Sequence, residues 1–181
     1  MTEVYRLAAA EDAEELLALI LGAYQTIREL NIAFTAAQAD LDLVRGNIVN
    51  NSCYVLEIDG EIAATISLKS LEEVTPHPFL YWFAVDPKQK GRGVGRRLLD
   101  HVEDTVVRLG LQASAVTLAT SRKHPWLLPM YERRGYRPFF ERDLGDDDKL
   151  VFMTKVLLQE ADQPGAGESA VAGVLQEGRP A

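Results

Sequence analysis

The sequence predicts an α/β chain, with strands and helices in the order β-α-α-β-β-β-α-β-α-β-β. Three observations predict it. Apolar runs such as Tyr54–Ile58, Ile62–Leu68 and Phe79–Val85 have the length of strands and end at turn residues. Elsewhere apolar residues return at the spacing of one helix face, as Val94, Leu98, Leu99, Val102 and Val106 do. Between these two patterns the chain reads Lys-Gly-Arg-Gly-Val-Gly-Arg from Lys90 to Arg96, a glycine-rich turn that opens a helix.

Taken in order, Val4 to Leu7 is a short strand. Ala8 to Arg28 is rich in Ala and Leu, with Glu11 and Asp12 in its first turn. Leu16, Leu17, Ile20, Leu21 and Tyr24 share one face, which makes this stretch an amphipathic helix. Asn31 ends it. Thr35 is the expected N-cap of a second helix through about Val49, which Asn50-Asn51 breaks. The strands at Tyr54–Ile58 and Ile62–Leu68 are joined across Asp59-Gly60, a strong hairpin signal. Pro76 and Pro78 are expected to interrupt the chain before the strand at Phe79. After the long helix come a strand at Ala115–Thr120 and a short helix over 125–134, with Pro125 in its first turn. A strand pair, Tyr136–Arg142 and Lys149–Leu157, turns across Gly145-Asp-Asp-Asp. From Gln159 the composition shifts to Gln, Glu, Gly, Ala and Pro without an apolar face. Residues 1–158 are therefore expected to form one domain and 159–181 a disordered tail.

Composition narrows the function. A chain of 181 residues buries a sizeable core, and no apolar run approaches the ~20 residues of a membrane-crossing helix. The opening Met-Thr-Glu-Val-Tyr-Arg has no basic-then-apolar leader, so a soluble cytoplasmic protein is expected, without membrane partners. Cys53 is the only cysteine and sits in a strand, where it reads as a small buried hydrophobe. The histidines, His77, His101 and His124, show no metal-ligand spacing, and no metal is expected. A net charge of −8 argues against nucleic acid and suits an amine substrate.

The glycine turn runs against that acidic background. Lys88, Lys90, Arg92, Arg96 and Arg97 surround it. Unpaired amides at the start of a helix, beside the positive end of its dipole, are suited to holding a phosphate. A P-loop would need Lys-Ser or Lys-Thr after the glycines, and none follows. A dinucleotide fingerprint would need a third glycine where Arg96 stands. The pattern Gln/Arg-x-x-Gly-x-Gly/Ala fits, with Gly93 and Gly95 in the small-residue places, Gly91 and Arg92 in the variable ones, and Lys90 where Gln or Arg is usual. This resembles the acetyl-coenzyme A loop of the GNAT superfamily of N-acetyltransferases. Further on, Tyr131-Glu-Arg-Arg-Gly135-Tyr136 resembles the second signature of that family, and the resemblance spans roughly residues 3 to 157.

The resemblance implies a central, twisted, mixed sheet with helices on both faces. It implies acetyl-CoA as co-substrate, held by the backbone of Phe83, Ala84 and Val85 and by a loop of Gln89, Lys90, Gly91, Arg92, Gly93, Val94, Gly95 and Arg96 around the pyrophosphate. The implied reaction is direct attack by a primary amine, of a small molecule or a protein, in a ternary complex. Tyr131 stands where many members carry the acid that protonates the leaving thiolate. Two departures bear on the acceptor. The strand before the loop shows Tyr81, Trp82 and Phe83 where members often place a base Glu, leaving Glu72, Glu73, His77, Glu141 and Asp143 as candidates. His124 stands where an Asn commonly binds pantetheine, and Trp82 and Trp126 are candidates to wall an acceptor pocket. The missing strand carboxylate keeps a second reading open, a non-catalytic acetyl-CoA-binding regulatory domain. A homodimer is one arrangement open to the chain.

Overall fold

In a computed structural model, which describes residues 1–157, seven strands pair into one sheet. They are β1 (Glu3–Leu7), β2 (Ser52–Ile58), β3 (Glu61–Leu71), β4 (Thr75–Val85), β5 (Ala115–Ser121), β6 (Arg137–Gly145) and β7 (Asp148–Val156). The order across the sheet is β1-β2-β3-β4-β5-β7-β6, antiparallel except for the parallel pair β4–β5. The helices are α1 (Ala13–Ala23), α2 (Gln25–Glu29), α3 (Leu41–Asn50), α4 (Val94–His101) and α5 (Leu127–Arg133). The tail expected from Gln159 lies outside the described residues. No helix among those described is long and apolar enough to cross a membrane.

Strand alternation divides the core between two faces. Leu56, Ile66, Leu80, Val116 and Met153 point to the face carrying α4, where they meet Val94, Leu98, Leu99 and Val102. Cys53, Val55 and Ala84 point the other way, against Leu16 and Ile20 of α1 and Val44 of α3. The expected mixed sheet with helices on both faces is what forms. Asp59 and Gly60 both take positive φ, 50° and 88°, as a two-residue turn between antiparallel strands requires.

Several boundaries differ from the sequence reading. The helix expected over 8–28 is a 3₁₀ turn (Ala10–Asp12), then α1, then a break at Tyr24 before α2. Thr35 caps nothing, because it opens a 3₁₀ turn; the cap of α3 is Asp40, which accepts from the Leu43 amide at 2.8 Å. Pro76 and Pro78 do not interrupt before Phe79. Strand β4 begins at Thr75 and runs through both, in a stretch where the β3–β4 register shifts and the missing N–H groups cost no regular ladder bond. The helix over 125–134 shortens to Leu127–Arg133, with Pro125 ahead of it. The long helix runs on from α4 as π-helical turns, Val102–Gly110.

Candidate active site

Strands β4 and β5 pair only at Phe79–Thr117 and Leu80–Leu118, and beyond that point they part. The parting begins at a bulge. Thr65 faces Ala84 and Ser67 faces Tyr81, so Trp82 and Phe83 of β4 stand opposite the single residue Ile66. Trp82 takes φ 50°, a left-handed conformation that a bulky side chain adopts at a cost of ~1–3 kcal/mol. The bulge keeps both Tyr81 and Trp82 toward α1 and α3, and sends Phe83 and Val85 toward α4. On the far side of the gap, the hydroxyl of Thr120 in β5 is buried without a partner among the described residues. A buried polar group without a partner costs free energy, and a ligand amide in the gap would satisfy it.

The glycine loop lies at the end of β4. Gly91 and Gly93 take φ 79° and 69°, conformations that favour glycine, and Gly93 is the residue from which α4 starts. Among the described residues, the amides of Gly91, Gly93, Val94, Gly95 and Arg96 donate to no backbone carbonyl. Gly95 is a glycine for another reason. A Cβ there would stand 2.8 Å from Val85 Cγ2 and 3.2 Å from Phe83 Cζ, so the helix start and the bulged strand touch through it. The surrounding charges do not all serve the loop. Arg97 turns inward, donating to the Arg92 carbonyl at 2.7 Å and pairing with Glu3 at 2.7 Å, and Arg96 lies 3.7 Å from Asp100. Lys88 and Lys90 remain exposed on the loop. A shallow hollow lined by Ile58, Gln89, Arg92, Val94 and Arg97 adjoins it.

Tyr131 is buried on α5, with its ring edge-on to Tyr136 at 5.7 Å. Burial pushes its hydroxyl up to about 12. Tyr136 is tied down from beneath. It donates to Glu103 at 2.7 Å, and Lys155 (2.6 Å) and Arg134 (3.1 Å) complete the shell of that buried carboxylate. The second sequence signature is thus anchored to the π-helical segment by a charged cluster. Tyr24, which the sequence marks only as part of a helix face, belongs to the site. At the α1–α2 break it donates to the Phe83 carbonyl at 3.1 Å, fixing a peptide group in the bulge. Burial raises its hydroxyl, and nearby Tyr131 raises it further.

The other candidates scatter. Glu72 and Glu73 are exposed in the β3–β4 turn, at the end of β4 remote from the bulge. Glu141 is committed to Arg122, and Asp143 accepts from the Gly145 amide at 2.9 Å. His124 is buried, 4.3 Å from the Trp126 ring, and Trp126 itself is exposed. Of the two tryptophans, Trp82 stands at the bulge and Trp126 at the start of α5, beyond the end of β5.

On the α1–α3 face beside Trp82 lies a strip of rings that sequence order conceals. Tyr81 stacks on Phe79 (6.3 Å, 10°), Phe79 meets Phe152 of β7 (5.9 Å), and Phe152 meets Phe140 of β6 (5.6 Å). The Lys69 ammonium stands 4.5 Å over Tyr81, and the Arg142 guanidinium carbon 5.4 Å over Phe152. Tyr81 is fixed from behind. Its hydroxyl donates to Asn47 of α3, whose amide donates to Ser67 at 2.7 Å. Burial keeps that hydroxyl protonated. Among the described residues no three His, Cys, Asp or Glu side chains gather as a metal site.

Comparison with known proteins agrees with this geometry. The sequence profile of the Acetyltransferase (GNAT) family matches residues 14–136. The chain is 50% identical over 157 residues to the S-(2-succino)cysteine N-acetyltransferase of Bacillus subtilis, covering 84% of this chain and 95% of that one. It is 47% identical over 167 residues to the S-alkylcysteine N-acetyltransferase of the same organism, covering 90% and 93%. In fold it matches the PaiA N-acetyltransferase of Thermoplasma acidophilum, solved in complex with coenzyme A, with a TM-score of 0.68 at 16% identity over 86% of this chain and 99% of that one. The chain therefore belongs to the acetyltransferase (GNAT) family and is an N-acetyltransferase.

Proposed function

We propose that the enzyme transfers the acetyl group of acetyl-CoA to the α-amino group of an S-substituted cysteine. The observation that carries the acceptor is the near-full-length identity, 50% and 47%, to two N-acetyltransferases named for S-(2-succino)cysteine and S-alkylcysteine. For the donor, the support is local. The free amides of Gly91, Gly93, Val94, Gly95 and Arg96 and the exposed Lys88 and Lys90 suit a pyrophosphate. The backbone of Phe83, Ala84 and Val85, unpaired on the side toward β5, suits an extended amide-bearing arm, and so does the unpartnered Thr120 hydroxyl opposite.

Acetyl-CoA supplies an activated acyl thioester; the protein positions it and manages protons. An amide of the bulge is the group proposed to stabilise the negative charge that develops on the acyl oxygen. Tyr24 holds the Phe83 peptide in the orientation that this requires. Tyr131, kept protonated by burial at every working pH, donates to the sulfur as charge builds there. The absence of an acid among Tyr81, Trp82 and Phe83 fits this acceptor. An α-amine next to a carboxylate gives up its proton more readily than a lysine side chain, which lessens the demand on a base.

The test is thiol release from acetyl-CoA with S-methylcysteine, S-(2-succino)cysteine and a lysine peptide. Release with the cysteine conjugates, and little with the peptide, is the expected result. The reverse ranking overturns the acceptor assignment.

A further inference from the structure

We infer that Lys69 is the residue that reads the acceptor's α-carboxylate, with the ring of Tyr81 as its platform. This rests on the acceptor class proposed above and deepens it. The chain is acidic, and Arg6, Arg97, Arg108, Arg122, Arg134 and Lys155 are all engaged by carboxylates. Lys69 is half-buried in the middle of the sheet, yet among the described residues it forms no ion pair and is compensated only by an aromatic face. A cation–π contact offsets part of the cost of drying an ammonium, and an anion completes it.

Position selects which anion. Tyr81 directly precedes the bulge residue Trp82, where the acetyl group must lie for the parted strands to hold it. In an α-amino acid the amine and the carboxylate share one carbon. An amine placed for attack at the bulge therefore carries its carboxylate within a few ångströms, toward the residue beside it. Lys69 hangs over that residue, and the Asn47–Ser67 hydrogen bonds keep the platform from moving. The strip from Phe79 to Phe152 then leads away from the carboxylate. Phe79 and Phe152 are buried, so the open end of the strip at Phe140 is what an S-substituent can meet, and a ring suits a thioether sulfur and its alkyl group.

The test separates the carboxylate from the amine. Lys69→Met and Lys69→Arg are compared with the native enzyme on three probes: S-methylcysteine, S-methylcysteamine (amine, no carboxylate) and 3-(methylthio)propionate (carboxylate, no amine) as an inhibitor. The expected result for Lys69→Met is a KM for S-methylcysteine raised about 10- to 100-fold, the range for losing a charged hydrogen bond, with kcat changed little. Its turnover of S-methylcysteamine and its affinity for acetyl-CoA stay native, inhibition by the propionate weakens by the same factor, and Lys69→Arg restores most of the loss. Equal losses on S-methylcysteine and S-methylcysteamine, or undiminished inhibition by the propionate, overturn the assignment of Lys69 while the acceptor class stands. Absence of thiol release by the native enzyme with any cysteine conjugate overturns the acceptor class, and this assignment with it.

Discussion

Replacing Gly95 by alanine puts a methyl carbon 2.8 Å from Val85 Cγ2 and 3.2 Å from Phe83 Cζ, where ordinary carbon contacts lie at about 3.5–4.0 Å. Two effects oppose each other. Alanine favours the helix over glycine by about 0.8–1.0 kcal/mol, while forcing a methyl into packed space costs about 1–3 kcal/mol. Neither neighbour is free to yield, because Phe83 and Val85 belong to the bulged strand and both pack into the core under α4. Overpacking therefore wins by up to ~2 kcal/mol, a fall in Tm of roughly 2–8 °C for a domain of this size. The larger effect falls on the ligand. Relief of the contact must push α4 away from β4, and the loop amides move with it, so acetyl-CoA affinity drops by about ten-fold or more. Thermal unfolding and calorimetric titration with acetyl-CoA measure the two. Gly46→Ala in α3 is the control, since its Cβ would meet nothing closer than the Asn50 side chain at 3.9 Å and only the helix gain applies. Adding Val85→Ala to the Gly95 variant should recover part of the affinity. A Gly95→Ala protein that resembles the Gly46 control, more stable and binding acetyl-CoA as the native chain does, would refute the argument that this contact sets the loop against the strand.

Two further predictions concern protons. Tyr131→Phe should lower kcat by about 10²-fold or more while leaving the Kd for acetyl-CoA near native, and unchanged kcat removes Tyr131 from the acid role. With its hydroxyl pushed up to about 12, the native rate should show no decline from Tyr131 between pH 7 and 10 and should rise as the acceptor amine loses its proton. Asp12 tests stability. Hydrogen bonds from Arg6, at 2.7 and 3.1 Å, hold its carboxyl below the usual carboxylate range, and the Ala9 amide adds to this. A lowered folded pKa stabilises above the unfolded value near 4, and the contribution is lost as pH falls through the folded value. Asp12→Asn should therefore cost ~1–3 kcal/mol at pH 7 and progressively less as the pH falls below the usual carboxylate range, read by urea unfolding at pH 7 and in acid. Equal costs at the two pH values refute the ion-pair account.

How far the sequence carried depended on range. Element types and order were legible because each strand or helix writes its own period into adjacent residues. Their breaks were not. The halt of α1 at Tyr24 has no glycine or proline to mark it, and the bulge at Trp82 puts a positive φ on a residue whose type argues against one. Pro76 and Pro78 misled for the converse reason, since a locally irregular register tolerates them within a strand. Asp40 stands directly before Leu41, where a cap belongs, whereas Thr35 is an equally good capping type that opens only a 3₁₀ turn.

The site divides along the same line. The proposed donor side is contiguous, from the bulge through Val85 to Arg96, and offers backbone groups, so its glycines record where side chains are forbidden. The acceptor side is assembled by register. Lys69 meets Phe79 because β3 pairs β4, Phe79 meets Thr117 because β4 pairs β5, and Phe152 reaches the strip because β7 pairs β5. No spacing in the chain announces that row. Phe79 and Phe152 are buried in the core, whereas Lys69, Phe140 and Arg142 reach the surface from strands already fixed by the fold and can change without disturbing the donor loop. On the proposed assignment of Lys69, substitutions at Lys69, Phe140 or Arg142 are expected to alter the acceptor and leave Gly91 to Gly95 untouched. Two relatives near 50% identity, named for a carboxylate-bearing and an alkyl thioether acceptor, are the kind of divergence that such a division permits.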